Sequence, residues 1–229
     1  MFMVNIKKQI PNSITLGNLT CGLFAIISIF KFELEMAAFL IILAAFLDFF
    51  DGFVARLLKV DGALGKQLDS LADMVTFGLA PALILNALVS FEHPYLSYSF
   101  VLVALMSAFR LAKFNIDTRQ TNSFIGVPTP FNAMLTISWI FIDHPIKDYI
   151  FSNEIGFTIY CIVVSYLLVS ELKLPALKFK KGQSYFWLLI IFIVTIVSFF
   201  FVKWLSIPIA FILYIISPIM EPMIDKKGV

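Results

Sequence analysis

The chain has 229 residues, of which 60% are apolar and only 14% charged, and its formal net charge is +2. Soluble domains are about 45–50% apolar and about 25% charged, so the composition excludes an ordinary soluble enzyme, a disordered chain and a secreted disulfide scaffold. The small net charge gives no support for nucleic-acid binding. The two cysteines, Cys21 and Cys161, are interpreted as packed thiols because each lies inside an apolar run.

The first ten residues predict a short interfacial helix. Phe2, Ile6 and Ile10 recur every four positions beside two lysines, a spacing that places them on one apolar face. Pro11 lacks a backbone N–H and is expected to end this helix before the first membrane span. The alternative interpretation is a frayed terminus.

Eight apolar runs follow along the chain. They lie at about 14–30, 35–58, 67–90, 95–114, 127–142, 155–171, 185–202 and 204–220. Backbone groups in hydrocarbon must satisfy their own hydrogen bonds, so each run is expected to be a helix. The sequence therefore predicts an all-α integral membrane protein with about eight transmembrane helices, the last two forming a tight hairpin around Lys203 and Trp204.

The distribution of basic residues predicts the orientation of these spans. With the N-terminus in the cytoplasm, 14 of the 17 lysines and arginines face the cytoplasm, and only Lys31, Lys147 and Lys203 face outward. Cytoplasmic loops characteristically carry this excess of positive charge. We therefore expect an integral protein of the cell (inner) membrane with both termini inside.

Four carboxylates interrupt the second and third runs near their cytoplasmic ends. Asp48 and Asp51 are three residues apart, and Asp69 and Asp73 are four apart, so each pair shares a helix face. A short loop at 57–64 makes the two helices antiparallel neighbours, which brings both acidic faces together. Divalent cations would relieve the repulsion, and carboxylate oxygens suit Mg²⁺ or Mn²⁺. The alternative is a set of interfacial caps with a proton relay.

The residues around these carboxylates are suited to a phosphate ligand. Gly52 and Ala55 lie beside the acidic face, where larger side chains would obstruct a ligand. Arg56 can bind a phosphate through two parallel hydrogen bonds. The pattern predicts a metal-dependent phosphate site at the cytoplasmic surface.

Residues 48–73 read DFFDGFVARLLKVDGALGKQLDSLAD, which is D-x2-D-G-x2-A-R-x8-G-x3-D-x3-D. This string resembles the signature of the CDP-alcohol phosphatidyltransferase family at every motif position. A finer resemblance, to the membrane-type phosphatidylserine synthase branch, covers roughly residues 10–181. It is carried by Ile10-Pro11-Asn12, Thr15, Asn18, Cys21-Gly22, LDSLADMVTFGLAP at 68–81, RLAKFN at 110–115 and FIGVPTPF at 124–131.

The resemblance implies a role for each acid and a division of the chain. Asp48 and Asp69 should bridge two divalent cations, Mg²⁺ or Mn²⁺. Asp51 should bind one of them, and Asp73 should bind the other and act as the general base. Residues 1–181 should form the six-helix family core, and residues 182–229 an additional transmembrane hairpin and tail.

The resemblance also implies the substrates. The expected reaction transfers the phosphatidyl group of CDP-diacylglycerol to L-serine by direct displacement, with membrane lipid and a second copy of the chain as partners. The residues that should contact the CDP-lipid are Asn12, Thr15, Gly52, Ala55 and Arg56. At the position of Gly62, some relatives contact the CDP-lipid through a side chain. Glycine could contact it only through its backbone.

The serine carboxylate requires a cationic partner near the metals. Arg110 is the best candidate, with Lys113 and Asn115 nearby, although positive-inside anchoring would also explain the two basic residues. The two histidines, His93 and His144, fall in predicted outer loops, which leaves Asp73 as the base. The loop at 120–130 would lie over the pocket.

Two alternative functions stay open at this point. The first is the same enzyme class acting on another alcohol, such as glycerol 3-phosphate or an inositol phosphate. The second is an ion-coupled transporter with the aspartates as its ion site, although transporter sites lie near the middle of the bilayer and these acids lie at helix ends.

Overall fold

The computed structural model describes residues 6–60, 62–89, 96, 98–117, 123–175 and 186–225. Phe2 of the predicted interfacial helix and His93 lie outside these ranges. The described part of the chain is almost entirely helical, as the sequence predicts.

The first two helices form a long antiparallel hairpin. Helix α1 spans Ile6–Phe30 and α2 spans Leu34–Leu58, and they make the most extensive helix–helix contact of the described chain. The buried residues of α2 in this interface are mostly alanines and let the two backbones approach closely. This packing fixes the N-terminal end of α1 beside the C-terminal end of α2, where the acidic residues lie.

Pro11 does not end a separate interfacial helix, so that prediction is wrong for the described residues. The helix runs without interruption from Ile6 through Pro11 to Phe30. Proline near a helix N-terminus removes only one backbone hydrogen bond, and the Pro11 carbonyl still accepts from the Thr15 hydroxyl at 3.0 Å. The first span therefore begins earlier than expected and carries its N-terminal turns into the region of the site.

The third helix contains an irregular turn directly after the last acid of the motif. Helix α3 spans Ala63–Asp73, continues as a π-helical segment at Met74–Leu79 and resumes as α4 at Ala80–Ala87. The wide turn ends just before Pro81, which lacks the N–H of a regular helix. π-Helical turns are frequent at functional sites.

The remaining helices surround this core. They are α5 Phe100–Ile116, α6 Thr129–Phe141, α7 Pro145–Phe151, α8 Glu154–Val169, α9 Phe186–Val202 and α10 Ser206–Asp225, with a 3₁₀ turn at Lys203–Leu205. Helices α9 and α10 pack against each other. That residues 182–229 are a transmembrane unit separate from a core at 1–181 stays a prediction.

A two-stranded antiparallel sheet, which the sequence does not predict, lies at the C-terminal end of α8. Strand β1 (Ser123–Ile125) pairs with β2 (Lys173–Pro175). Gly126 follows β1 with φ +74°, and a Cβ there would lie 2.6 Å from the Leu168 carbonyl oxygen. Only glycine fits this close approach, which lets the backbone N–H groups of Gly126 and Val127 donate to the Leu172 and Leu167 carbonyl oxygens near the end of α8.

The eight predicted spans are only partly confirmed. Within the described residues, four stretches are long and apolar enough to cross a membrane, and a fifth is added if α7 and α8, bent by 90°, count as one span. They are Lys7–Phe30, Leu34–Leu58, Ala63–Ala87 and Leu189–Pro218. The predicted run at 127–142 yields the 13-residue helix α6, about 20 Å long and shorter than a bilayer core of about 30 Å. The coarse conclusion, a helical membrane protein, holds.

Gly22 provides a test of the α1 packing. A Cβ at Gly22 would lie 2.3 Å from Thr76 Oγ1 and 3.1 Å from its Cα, whereas one at Gly17 would lie 3.4 Å from Leu47 Cδ1. We expect Gly22→Ala to separate α1 from the π-helical segment at a cost of about 1–3 kcal/mol. The apparent melting midpoint in detergent should fall by about 2–4 °C per kcal/mol.

Gly17→Ala on the same helix is the matched control. Its methyl group would make an ordinary contact, and alanine favours helix by about 1 kcal/mol over glycine. It should melt at or above the wild-type temperature. Equal midpoints for the two variants would contradict the described approach of α1 to the π-helical segment.

Candidate active site

One face of α1 supplies polar and small residues to the site. Pro11, Thr15, Asn18 and Gly22 are spaced by four, three and four residues, so they form one stripe along the helix. Thr15 and Asn18 are buried. The Thr15 hydroxyl lies 2.6 Å from Asp51 Oδ2 and 3.0 Å from the Pro11 carbonyl oxygen, and its single proton serves one acceptor at a time. This stripe therefore orients the acidic residues that face it.

The four motif aspartates converge, as their spacing predicts. One carboxylate oxygen each from Asp48, Asp51 and Asp69 lies within 4.8 Å of the other two. The Asp48 carboxyl is also within hydrogen-bonding reach of Asp73. Asn18 Nδ2 donates to Asp73 Oδ1 at 3.4 Å. Two antiparallel helix ends and α1 thus place four acids in one cluster.

This cluster fits a divalent cation. Ligands on opposite sides of Mg²⁺ are about 4.2 Å apart, because each Mg–O distance is about 2.1 Å. The three carboxylate oxygens lie within 4.8 Å of one another, so small side-chain rotations would bring them to one ion. The donors are all carboxylate oxygens, which suit Mg²⁺ or Mn²⁺ rather than soft metals. Asp51 and Asp73 are 6% and 9% exposed, so their negative charge is poorly solvated without a counter-ion.

A cavity of about 620 Å³ opens on one side of the cluster. This volume is within the usual range of small-molecule and cofactor sites, about 300–1,000 Å³. Four of the five residues predicted to contact a CDP-lipid line it. The complete lining is Pro11, Asn12, Thr15, Asp51, Gly52, Ala55, Val60, Gly62, Ala63, Gly65, Lys66 and Asp69.

Arg56 is the fifth predicted residue, and it lies at the edge of this cavity rather than in its lining. Its guanidinium folds back over Gly52, since a Cβ at Gly52 would lie 3.4 Å from Arg56 Nη1. It interacts electrostatically with Asp51 and is otherwise exposed. It can therefore turn toward a phosphate group without breaking a buried contact.

Lys66 lines the cavity and was not identified from the sequence. Its Nζ donates to the Asn115 backbone carbonyl at 2.7 Å, which holds the ammonium at the boundary between α3 and α5. Lys66 and Asp69 are three residues apart on α3, so helical periodicity around the motif could have identified it.

Arg110 of α5 is a buried cation that does not line this cavity. It is 7% exposed and interacts electrostatically with Asp73 and with Tyr214. Its Nε is buried without a hydrogen-bond partner in the described part of the chain. A buried guanidinium donor without a partner is costly, and an anionic ligand would satisfy it.

The other two residues predicted for serine are arranged differently. Lys113 Nζ pairs with Glu171 Oε1 at 3.4 Å at the surface. Asn115 Nδ2 donates to Ser70 Oγ at 2.8 Å, and its Oδ1 is buried without a partner among the described residues. Within the described residues, Arg110 is the one of these three that interacts electrostatically with a motif aspartate, namely Asp73. His144 caps the N-terminus of α7, away from this cluster.

Comparison with known proteins agrees with this arrangement. A family model described as CDP-alcohol phosphatidyltransferase matches residues 8–166. The chain is 37% identical over 178 residues to a CDP-diacylglycerol–serine O-phosphatidyltransferase of Bacillus subtilis (strain 168), covering 77% of this chain and 94% of the relative.

Two further relatives have similar names. A protein of the same name from Helicobacter pylori (strain ATCC 700392 / 26695) is 32% identical over 197 residues, covering 85% of this chain and 83% of the relative. An archaetidylserine synthase of Methanothermobacter thermautotrophicus is 33% identical over 181 residues, covering 76% of this chain and 74% of the relative.

The carboxylate cluster makes a prediction about metal binding. Loss of a residue that only hydrogen-bonds to a metal ligand typically weakens metal affinity about 10–100-fold. Asp48→Asn removes a central carboxylate of the cluster itself, so it should weaken Mn²⁺ binding at least about tenfold. Titration of the detergent-solubilised protein with Mn²⁺, followed by electron paramagnetic resonance, measures this affinity without turnover. Asp143→Asn, at an exposed position between α6 and α7, should bind Mn²⁺ like the wild type. Unchanged Mn²⁺ affinity in Asp48→Asn would contradict the assigned cation site.

Proposed function

Since this chain belongs to the CDP-alcohol phosphatidyltransferase family, we propose that it transfers the phosphatidyl group of CDP-diacylglycerol to the hydroxyl of L-serine and releases CMP. The observation that carries the proposal is the carboxylate cluster with a cavity beside it and a buried arginine that interacts electrostatically with Asp73. The names of the relatives in Bacillus and Helicobacter support serine as the acceptor.

The nucleotide and its diphosphate are assigned to the cavity. Asn12, Thr15 and the small residues Gly52 and Ala55 leave room for the cytidine and its phosphates at this wall. Lys66 and Arg56 bring positive charge to the edge, where a diphosphate would lie. The lipid tails of the donor would remain in the bilayer beside the exposed apolar surface of α2.

Two divalent cations are assigned to the four aspartates, with Asp48 and Asp69 shared, Asp51 binding one and Asp73 the other. When bound, such ions would neutralise negative charge on the diphosphate and on the departing CMP. The preference for Mg²⁺ or Mn²⁺ follows from the all-carboxylate donor set.

The acceptor is assigned to the side of the cluster that holds Asp73 and Arg110. Arg110 would bind the serine carboxylate and so direct the serine hydroxyl toward Asp73. Asp73 takes the hydroxyl proton, and the serine oxygen forms a bond to the phosphorus on the lipid side. The bond from that phosphorus to the CMP oxygen breaks, and CMP leaves on the cavity side. This opposed placement of the two substrates suits an in-line displacement.

The cellular arrangement follows from the positive-inside pattern. We propose that the cluster faces the cytoplasm at the inner surface of the cell membrane, where soluble serine is available. A homodimer, which the family resemblance implies, stays part of the proposal.

An acceptor screen tests the proposed reaction. Purified protein with Mn²⁺ and CDP-diacylglycerol should release CMP when L-serine is added, and mass spectrometry should detect phosphatidylserine. Arg110 offers one buried guanidinium, which suits a carboxylate better than a doubly charged phosphate acceptor. CMP release with glycerol 3-phosphate or an inositol phosphate but none with serine would reject serine as the acceptor. Ion flux in proteoliposomes without CMP release would favour the transporter alternative instead.

The general base has its own test. Asp73→Asn keeps an oxygen that can accept from Asn18 Nδ2, so the local geometry is preserved. Removing a general base typically costs about 10²–10⁴-fold in turnover, and we expect kcat to fall in that range. CDP-diacylglycerol binding should be largely retained, and Mn²⁺ affinity should fall less than in Asp48→Asn because Asp73 is assigned to one cation only; Asp143→Asn is the control for loss of one acid. Near-normal kcat in Asp73→Asn would show that another group takes the proton.

A further inference from the structure

One residue of α5 is hydrogen-bonded to two consecutive turns of α3. The Asn115 backbone carbonyl accepts from Lys66 Nζ at 2.7 Å, and the Asn115 side-chain Nδ2 donates to Ser70 Oγ at 2.8 Å. Lys66 and Ser70 are four residues apart, so they lie one turn from each other on one face of α3. These three residues form what we call the α3–α5 clamp.

The position of Asn115 in α5 explains why its carbonyl takes a lysine. Helix α5 ends at Ile116, so the Asn115 carbonyl lies in the last turn, where helix carbonyls lack an N–H partner four residues further on. A cation is favourable there, because the backbone dipoles leave partial negative charge at a helix C-terminus. The bond from the Asn115 side chain to Ser70 holds the same residue against α3.

Lys66 also lines the cavity that is assigned to the nucleotide. An ammonium group has three donors, and the Asn115 carbonyl takes one of them. The other two can serve a phosphate group without breaking the clamp. The neighbouring Gly65 closely approaches α1, since a Cβ there would lie 3.2 Å from Asn12 Oδ1. The turn of α3 that carries Lys66 is therefore held between α1 and α5.

We propose that Asn115 is a positioning residue for the donor substrate: through its bond to Ser70 it holds the carbonyl that fixes the Lys66 ammonium at the cavity, where Lys66 binds the diphosphate of CDP-diacylglycerol. The inference rests on the proposed function, which assigns the diphosphate to this cavity. It assigns Asn115 to the donor, whereas the sequence predicts a contact with serine.

Steady-state kinetics of the full-length protein with Mn²⁺ distinguish these two roles. Asn115→Ala removes the bond to Ser70 but leaves the backbone carbonyl, and Ser70→Ala removes the same bond from the other side. Each should raise the KM for CDP-diacylglycerol about three- to tenfold, the effect of one hydrogen bond, and Lys66→Met should raise it at least about tenfold. The KM for serine should stay within about twofold of wild type. A rise for serine alone, or no rise for CDP-diacylglycerol, would overturn the proposal.

Further variants separate the clamp from a general loosening of α5. The double variant Ser70→Ala/Asn115→Ala should raise the KM for CDP-diacylglycerol no more than either single change, because both remove one bond. Ser70→Thr keeps a hydroxyl and should stay within about twofold of wild type. Glu171→Gln is the matched control, because it removes one charge of the Lys113–Glu171 ion pair at 3.4 Å on the same helix. Additive effects of the two alanine changes, or an equal rise in Glu171→Gln, would overturn the proposal.

Chemical labelling of Lys66 provides a readout that does not need turnover. Acetylation by a water-soluble N-hydroxysuccinimide ester, quantified by peptide mass spectrometry, should be faster at Lys66 in Asn115→Ala and Ser70→Ala than in wild type, because the clamp restrains Nζ. The exposed Lys59 is the internal reference. Equal rates at Lys66 would overturn the positioning role.

The same labelling keeps the clamp and the proposed function apart. In the wild type, CDP with Mn²⁺ should slow the acetylation of Lys66. If CDP gives no protection and serine releases no CMP, the proposed function fails, and faster labelling in the two alanine variants would still support the positioning of Lys66 by Asn115.

Discussion

Electrostatic repulsion among four carboxylates is the constraint on which the rest of this structure depends. Two charges 4 Å apart repel by about 4 kcal/mol at an effective dielectric constant of 20, and Asp48 has three acidic neighbours. Nothing in an apolar helical bundle would place these acids together for stability. The close α1–α2 hairpin and the donors Thr15 and Asn18 hold the cluster, and they oppose the repulsion only in part. The fold therefore keeps a cluster of acids whose mutual repulsion a bound cation would relieve, as expected where function sets the sequence.

The cluster divides the site into two sides, and the division suits a displacement reaction. Asn12 of α1 and Lys66 of α3 line the cavity, whereas Arg110 of α5 does not line it and interacts electrostatically with Asp73. A reaction in which one group enters as another leaves requires two binding regions that meet at the reacting atom. Lys66 connects them, because it lines the cavity and also binds the backbone of α5 at Asn115.

The sequence allowed prediction of those parts of the site that depend on helical periodicity. The spacing of the four motif aspartates was sufficient to place them together, because two helices joined by a short loop pack as antiparallel neighbours. The π-helical segment at Met74–Leu79 was not predictable, since it depends on how α1 packs beside it at Gly22. The β1–β2 pair was also missed, because each strand has only three residues and the pairing joins segments about 50 positions apart. The eight predicted spans are not confirmed, because apolar composition does not fix helix length and α6 has only 13 residues.

The carboxylate cluster by itself cannot select an acceptor. Its oxygens bind cations and thereby phosphates, which every CDP-alcohol donor carries, so the choice of alcohol must depend on other residues. Arg110 of α5 interacts electrostatically with Asp73, and α10 packs on α6 and β2. All four elements lie wholly outside the motif string at 48–73, and β2 and α10 also lie beyond the family match at 8–166. A signature that identifies the family therefore says little about the acceptor, and we infer that acceptor specificity depends on residues outside it, Arg110 first among them.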